Sequence, residues 1–332
     1  MINYKLAFVP NHVVVFGCGG TGSRIVPLVA QFLKTVSYLT NPEMTLVDFD
    51  EVEEKNLLRQ NFVKPDVGKN KAEVLASRYS RAYGINIYAE NEDFTKIPLQ
   101  RFIDSPAFMK LRDRLSGKGI LVINCVDSIA ARKNIAGLLY SMLLSNIDTH
   151  GLILIDTGNE TDFGQVKIVG DHTFRSVIKD KTFTRSPFDV DIVGFPTDME
   201  YFTSMEPPKD VRSCADLDQT MAINCMVSNA AFGTIQNIYY GVGVPYHRLN
   251  ISLQHGITPE YMNFAYLARV EKTLADSELN AHREGLYAPT EWEHYLKLMK
   301  PHSFRLGGNV ALEKYIEDSY QFEKSMVMAK AA

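Results

Sequence analysis

The chain has 332 residues, of which 45% are hydrophobic and 22% are charged. These values are typical of a soluble globular protein built as one large domain or as two closely joined domains. The formal net charge of -4 argues against a protein that coats nucleic acid, so no nucleic-acid partner is expected.

The four cysteines are widely spaced and form no Cys-x-x-Cys pair. A four-thiolate zinc site is therefore not expected. No signal peptide is visible, and no apolar run reaches the roughly 20 residues that a membrane helix needs. We expect a reduced, cytoplasmic protein without structural zinc and without a membrane partner.

Strand-like and helix-like segments alternate along the first half of the chain. The short apolar runs that predict buried strands are 13–16, 44–47, 85–89, 120–123 and 152–155. Apolar residues at helical spacing predict helices at 22–38, 69–83 and 128–145, the last one capped by Asp127 or Ser128. This alternation predicts an α/β fold with a Rossmann-like, mostly parallel sheet, helices on both faces and ligands at the carboxyl ends of the strands.

The second half has a different pattern. Residues 165–169 predict an antiparallel strand that extends the sheet, and a long crossover loop follows at 171–213. An apolar helix is predicted at about 215–240, and the chain reads as several helices from Pro259 onward. We therefore divide the chain into a nucleotide-binding half at 1–150, a second half at 151–256 and a helical C-terminal extension at 257–332.

A glycine-rich segment, Gly17–Gly22, directly follows the first predicted strand and opens the first predicted helix. Glycines permit a tight turn and a close approach of the backbone, and the free N–H groups at a helix start attract phosphate. The glycines expected to cradle phosphate are Gly17, Gly19, Gly20 and Gly22.

The glycine segment alone does not identify the nucleotide, because it fits both the dinucleotide pattern G-x-G-x-x-G and an ATP-binding variant. Asp48 ends the second strand, where an acidic side chain would hold ribose hydroxyls. It lies 31 residues after Gly17, whereas the separation in dinucleotide folds is about 20 residues. This spacing disfavours a simple NAD site.

Charged side chains beyond Asp48 favour ATP chemistry over hydride transfer. Arg59 and Lys71 could neutralise a triphosphate and departing pyrophosphate. Asn56 could hold a phosphate oxygen or the ribose. Asp127 follows the fourth strand, at the edge where ligands bind, and a carboxylate there could hold Mg²⁺ beside the phosphates.

These segments resemble successive motifs of the ThiF/MoeB/ubiquitin-activating-enzyme superfamily. The similar segments are 17–22, 48–60, 68–71 and 126–132, and they occur in the family's order over about residues 11–135. Among the branches of the superfamily, the chain is most similar to bacterial ThiF-related proteins of mobile-element cassettes.

The resemblance implies ATP and Mg²⁺ as cofactors, with Asp127 as the magnesium residue. The implied nucleotide-binding residues are Gly17, Gly19, Gly20, Gly22, Asp48, Asp50, Asn56, Arg59, Gln60 and Lys71. The implied reaction is attack by the C-terminal carboxylate of a ubiquitin-like protein or peptide on the α-phosphate, with Arg59, Lys71 and Asp127 as catalytic residues. The products are an acyl-adenylate and pyrophosphate, and the implied assembly is a homodimer.

Cys214 is a further candidate catalytic residue. It stands after the long crossover loop and before the predicted apolar helix, where similar enzymes often carry a nucleophilic cysteine. A helix N-terminus favours the thiolate, so Cys214 could accept the acyl group as a thioester. The alternative is a cysteine that only packs, and we expect Cys18, Cys125 and Cys225 to pack in this way.

Two departures from the family leave other functions open. The paired zinc cysteines of many members are missing, and residues 1–12 lack the arginine that many dimeric members supply to the partner's site. The alternatives are a nucleotide-binding regulatory protein without turnover, an NAD- or FAD-dependent oxidoreductase, and an adenylating enzyme that acts on a small molecule or tRNA.

Overall fold

Five parallel strands form the centre of the fold in a computed structural model of the chain. The described residues are 3–6, 9–91, 93, 106–128, 151–169, 189–192 and 220–261, with six helical residues between 131 and 139. The chain divides into two compact units, Tyr4–Asp171 with Ile192–Tyr261, and Met1–Asn3 with His172–Asp191 and Met262–Ala332. Almost all of the second unit lies outside the described residues, and the candidate site lies within the first.

The main sheet has eight strands within the described residues. Its parallel strands are β2 His12–Phe16, β3 Glu43–Val47, β4 Ile87–Glu90, β5 Gly119–Asn124 and β6 Gly151–Asn159. Its antiparallel strands are β7 Phe163–Val169, β9 Tyr246–Ser252 and β10 Gly256–Tyr261. The strand order across the sheet is β10-β9-β7-β6-β5-β2-β3-β4. The predicted fold class, a mostly parallel sheet extended by antiparallel strands, is confirmed.

Two short strands, β1 Asn3–Leu6 and β8 Asp189–Ile192, lie outside this sheet. The α-helices with assigned bounds are α1 Gly22–Thr40, α2 Lys71–Tyr83, α3 Pro106–Leu115 and α4 Met221–Tyr239. Two 3₁₀ helices occur between β3 and α2, at Glu54–Leu58 and Lys64–Asp66.

Strand β2 marks the point where the strand order reverses, because β3 pairs with one side of it and β5 with the other. All residues of β2 and β5 are buried, as their continuous apolar sequences predict for central parallel strands. In such sheets a crevice opens at the carboxyl ends of the two strands that flank the reversal. The segments after β2, β3 and β5 therefore carry the candidate site.

Local sequence explains the helix ends. The side chain of Asn70 accepts a hydrogen bond from the N–H of Glu73 and so caps α2. The helix therefore begins at Lys71, two residues after its predicted start at 69. Gly84 ends α2 in the left-handed conformation, with φ of 62°. Ser128 Oγ accepts from the N–H of Ala131 at 3.1 Å, so Ser128 caps the helical residues that follow β5.

Other boundaries differ from the sequence predictions. The long apolar helix is described from Met221, with Thr220 as its cap, whereas residues 215–219 lie outside the described residues. Residues 257–261, which the sequence placed in a helical extension, belong to β10 and pair with β9. Residues 253–255 form the turn of this β9–β10 hairpin, and Gly256, with φ of 75°, begins β10; apolar periodicity did not predict the hairpin.

Candidate functional site

A cavity of about 360 Å³ opens where β2, β3 and β5 end. The predicted site residues that line it are Gly17, Gly19, Gly20, Asp48, Asp50, Asn56, Arg59, Gln60, Lys71 and Asp127. The apolar part of its wall was not predicted from the sequence and includes Phe16, Val47, Phe49, Val126, Ala131 and Ile135. Gly22 is not part of the lining, and Cys214 lies outside the described residues.

Gly17 and Gly22 shape the turn that carries the other two glycines. Gly17 has φ of +86°, and a Cβ there would lie 2.9 Å from the carbonyl carbon of Cys125. A Cβ on Gly22 would lie 1.8 Å from the carbonyl oxygen of Gly17, a distance that no packing adjustment accommodates. Both positions therefore require glycine, Gly17 for its conformation and its neighbours and Gly22 for space.

Gly19 and Gly20 have backbone conformations outside the left-handed region. A Cβ on Gly19 would have only Gln60 Nε2 within 4 Å, at 3.9 Å, so this residue faces open space. A Cβ on Gly20 would instead lie 2.7 Å from the side-chain amide of Asn224. The absence of a side chain therefore leaves open space beside Gly19 and makes room for the Asn224 amide beside Gly20.

Asp48 connects the glycine turn to the end of β3. Its Oδ2 accepts from the N–H of Cys18 at 2.5 Å, and its Oδ1 accepts from the N–H of Asp50 at 2.8 Å. Burial raises the pKa of Asp48, although Lys71 and these two N–H groups favour its ionised form. The carboxylate is thus fixed at the cavity wall before any ligand arrives.

Lys71 is a buried cation in the first turn of α2, with only 6% of its surface exposed. Its Nζ donates to Asp50 Oδ2 at 2.8 Å, and its backbone N–H donates to the Asp50 carbonyl at 2.9 Å. The Asp50 side chain is half exposed. An anion in the cavity could therefore share the ammonium group with Asp50 or replace it there.

The Arg59 segment is held against the start of α1. Arg24 Nη2 donates to the carbonyl of Arg59 at 3.1 Å, and Ser23 Oγ accepts from the N–H of Asn61 at 2.9 Å. Pro27 has no N–H for the Ser23 carbonyl, which accepts from Asn61 Nδ2 at 3.2 Å instead. This arrangement fixes the backbone on both sides of Gln60.

Asn56 has a structural contact in addition to its place in the cavity wall. Its Oδ1 accepts from the N–H of Glu53 at 2.9 Å and so caps the 3₁₀ helix that follows β3. Its side chain is therefore oriented by the protein itself, which the sequence pattern did not indicate.

The turn that carries Asp127 is fixed by Arg132. Arg132 Nη2 donates to the carbonyls of Val126 at 2.6 Å and Thr157 at 2.7 Å, and Nη1 pairs with Asp156. Asp156 is 1% exposed, and burial raises its pKa while Arg132 opposes that shift. Arg132 is predicted from the sequence only as part of a motif, because its contact with Thr157 joins segments that are distant in the chain.

The chain matches the ThiF family over residues 5–236. It belongs to the ThiF family.

Curated relatives of this ThiF-family protein match over a shorter region. The Nedd8-activating enzyme E1 catalytic subunit of Drosophila melanogaster is 30% identical over 166 residues, which are 47% of this chain and 32% of the relative. The NEDD8-activating enzyme E1 catalytic subunit of Dictyostelium discoideum is 30% identical over 167 residues, with the same two shares. The match thus spans about a third of the length of these relatives.

Two solved structures to which this chain is similar are MccB and PaaA. E. coli MccB with ATP has a TM-score of 0.46 and 16% identity, over 76% of this chain and 64% of that chain. PaaA has a TM-score of 0.47 and 18% identity, over 76% of this chain and 73% of that chain.

Two cysteines of this ThiF-family protein lie beside the cavity and are unsuited to nucleophilic chemistry. Burial raises the pKa of Cys125 to about 12 and raises the pKa of Cys18 well above its ordinary value, with Asp48 adding to the latter shift. Both thiols therefore remain protonated at neutral pH. Cys18 is fully buried, as predicted, whereas Cys125 is only partly buried and lines the cavity. Cys225 is partly exposed on α4.

The residues at the cavity fit a magnesium ion that is held by a single protein carboxylate together with water and phosphate oxygens. Among the described residues, no group of three or more His, Cys, Asp or Glu side chains could hold a metal ion. Mg²⁺ usually takes one or two protein carboxylates together with water and phosphate oxygens. Asp127 is an exposed carboxylate at the cavity and matches that pattern.

Within the described part of the chain, no helix is long and apolar enough to span a membrane.

Proposed function

We propose that this ThiF-family protein uses ATP to activate a carboxylate, the C-terminus of a ubiquitin-like protein or peptide, as an acyl-adenylate. The observation that carries the proposal is the convergence of Lys71, Arg59 and Asp127 with the glycine turn on one cavity. A hydride-transfer site needs no such set of charges, whereas cleavage of a triphosphate does. The names of the NEDD8-activating relatives point in the same direction.

In the proposed complex, the glycine turn holds the phosphates and Asp48 holds the ribose. Asp50, Asn56 and Gln60 complete the nucleotide wall. A carboxylate oxygen of the substrate attacks the α-phosphorus, and the bond from that phosphorus to the oxygen bridging the α- and β-phosphates breaks. Pyrophosphate leaves with the electron pair, and Lys71 and Arg59 balance its charge.

Magnesium would supply further positive charge beside the phosphates. Asp127 would hold it, and the contact of Arg132 with the Val126 carbonyl would keep Asp127 in place.

A thioester step through Cys214 is a second part of the proposal. The thiolate would attack the acyl carbon of the adenylate, and AMP would leave with the electron pair of the broken C–O bond. We propose that this takes place in a homodimer within the reducing cytoplasm, where a free cysteine is maintained. The thioester is tested by non-reducing gel electrophoresis of the protein after incubation with ATP and the carboxylate donor. The homodimer is tested by analytical ultracentrifugation.

The decisive experiment is ATP–pyrophosphate exchange with Mg²⁺, using small ubiquitin-like proteins and peptides with free C-termini as carboxylate donors. We expect exchange that requires the donor and is lost in Asp127→Ala and Arg59→Ala. Asp113→Ala is the matched control, since Asp113 is an exposed carboxylate on α3 paired with Arg112. ATP binding without any exchange would instead favour a regulatory protein, and NAD binding without ATP binding would favour an oxidoreductase.

A further inference from the structure

Helix α4 reaches the glycine turn through two polar side chains. Asn224, in the first turn of α4, is fully buried, and its Oδ1 accepts from Thr21 Oγ1 at 3.4 Å and from Asn159 Nδ2. Ser228 lies one turn further along α4, and its hydroxyl is 3.0 Å from the carbonyl oxygen of Thr21 and 2.7 Å from that of Asn224, so its single proton is shared between these two acceptors. The contacts with Thr21 join residues more than 200 positions apart in the chain, with separations of 203 and 207.

The side-chain amide of Asn224 fills the space beside Gly20. A Cβ on Gly20 would lie 2.7 Å from Nδ2, 2.8 Å from Oδ1 and 2.9 Å from Cγ of Asn224. The backbone of Gly20 is not left-handed, so an alanine would be free of backbone strain there. Position 20 therefore excludes larger residues because of Asn224 and not because of its own conformation.

Asn224 is also an incompletely bonded group. Its Nδ2 is buried and has no hydrogen-bond partner among the described residues. Buried polar groups are nearly always bonded, and exceptions often accompany a functional constraint. Asn159, which donates to Asn224, lines the cavity together with Gly19, Gly20 and Thr21.

We infer that Asn224 is a positioning residue for nucleotide binding, which fixes the glycine turn from a buried position behind the cavity lining. Asn224 holds the Gly20–Thr21 turn in the conformation that receives the phosphates. Ser228 supports the same turn through the Thr21 carbonyl. This inference rests on the proposed function, because it assigns the turn to ATP.

The first test measures the dissociation constant of Mg-ATP by calorimetry with the full chain. Asn224→Ala should weaken ATP binding about tenfold or more, because the turn loses its support. Asn229→Ala is the matched control, since Asn229 lies on the same helix, is exposed and contacts only the Cys225 carbonyl in the described hydrogen-bond network. It should bind ATP as the wild type does. Equal affinities of Asn224→Ala and the wild type would overturn the inference.

The second test uses the steric relation between positions 20 and 224. Gly20→Ala should weaken ATP binding because its methyl group displaces the Asn224 amide. Because Gly20→Ala already deprives the turn of Asn224, adding Asn224→Ala to it should weaken ATP binding far less than the loss of about tenfold expected in the wild-type background. A residue with a merely structural role would lower the melting temperature in both backgrounds and leave the ATP affinity of each folded variant unchanged. Equal losses of affinity from Asn224→Ala in the two backgrounds contradict the inference.

If Asn224→Ala does not fold, Ser228→Ala replaces it, because this variant removes one hydrogen bond from Thr21 and leaves a good helix former. We expect its ATP affinity to fall about threefold, and an unchanged affinity would overturn the inference. The outcome for the proposed function is separate. A wild-type protein that binds no ATP overturns both, whereas wild-type binding that Asn224→Ala matches overturns only the role of Asn224.

Discussion

The two ends of strands β2, β3 and β5 carry charged side chains in opposite arrangements. At the amino ends, the charged groups bond to one another. Lys118 and Tyr88 donate to Glu43, the Tyr88 contact being 3.0 Å, and His12 Nε2 lies 2.9 Å from Thr45 Oγ1. Burial alone would raise the pKa of Glu43, but its hydrogen bonds from Lys118 and Tyr88 outweigh burial and lower it.

At the carboxyl ends, the charged groups surround an open cavity. Asp48 is bonded by backbone N–H groups, Lys71 shares its ammonium group with a half-exposed Asp50, and Asp127 is exposed. The same strands thus close one end with matched charges and leave charges available at the other. The difference separates groups that stabilise the fold from groups that are available to a ligand.

The largest expected effect comes from the glycine turn. Gly22→Ala should lower the free energy of unfolding by on the order of 4 kcal/mol, because its Cβ would overlap the Gly17 carbonyl, which cannot move freely. Gly19→Ala should leave stability nearly unchanged, because the only described atom within 4 Å of its Cβ is Gln60 Nε2. Urea unfolding of both variants measures the difference, and equal losses would contradict the geometry of the turn.

Two lysines provide the sharpest comparison between the strand ends. Lys71→Ala should reduce ATP–pyrophosphate exchange roughly 100-fold, because a preorganised cation is lost from the cavity. Lys118→Ala should leave exchange unchanged and lower stability by about 1–3 kcal/mol, because Glu43 loses a charged donor. Exchange rates and unfolding curves of the two variants should therefore show opposite patterns. Loss of exchange in Lys118→Ala would mean that the amino ends also take part in function.

Residues next to strand ends were predictable from the sequence. Gly17, Asp48 and Asp127 each follow a recognisable apolar run, and the carboxyl ends of parallel strands meet at one edge of a sheet. Their common location on the cavity therefore followed from local pattern alone. Lys71 was found in the same way, since it begins a helix with clear apolar spacing.

Contacts between distant segments were not predictable from the sequence. Asn224 stands in an apolar helix, where nothing local indicates that its amide packs against Gly20. The cap that Asn56 provides to Glu53 depends on a 3₁₀ turn for which apolar periodicity gives no signal. The clamp between Arg24 and the Arg59 carbonyl likewise joins two elements that only the folded sheet brings together.

The most gradual expected effect is a pH dependence of stability at the amino ends. Burial, assisted by the charge of Lys118, lowers the pKa of His12 from 6.5 to about 3. His12 is therefore neutral in the folded protein, while it binds a proton in the unfolded chain below pH 6.5. Its contribution to stability is complete above pH 6.5 and falls by about 1.4 kcal/mol per pH unit as the pH decreases toward 3.

His12→Gln isolates this effect, because glutamine can still bond to Thr45 and does not titrate. As the pH is lowered from 6.5 to 4.5, the free energy of unfolding of the wild type should fall steadily relative to that of His12→Gln in urea unfolding experiments. His255→Gln is the control, since His255 is exposed in the β9–β10 turn and its replacement should leave the pH profile of the wild type unchanged. Parallel profiles for the wild type and His12→Gln would mean that His12 gains a proton in the folded state, and the amino ends would then be less closed than their hydrogen bonds indicate.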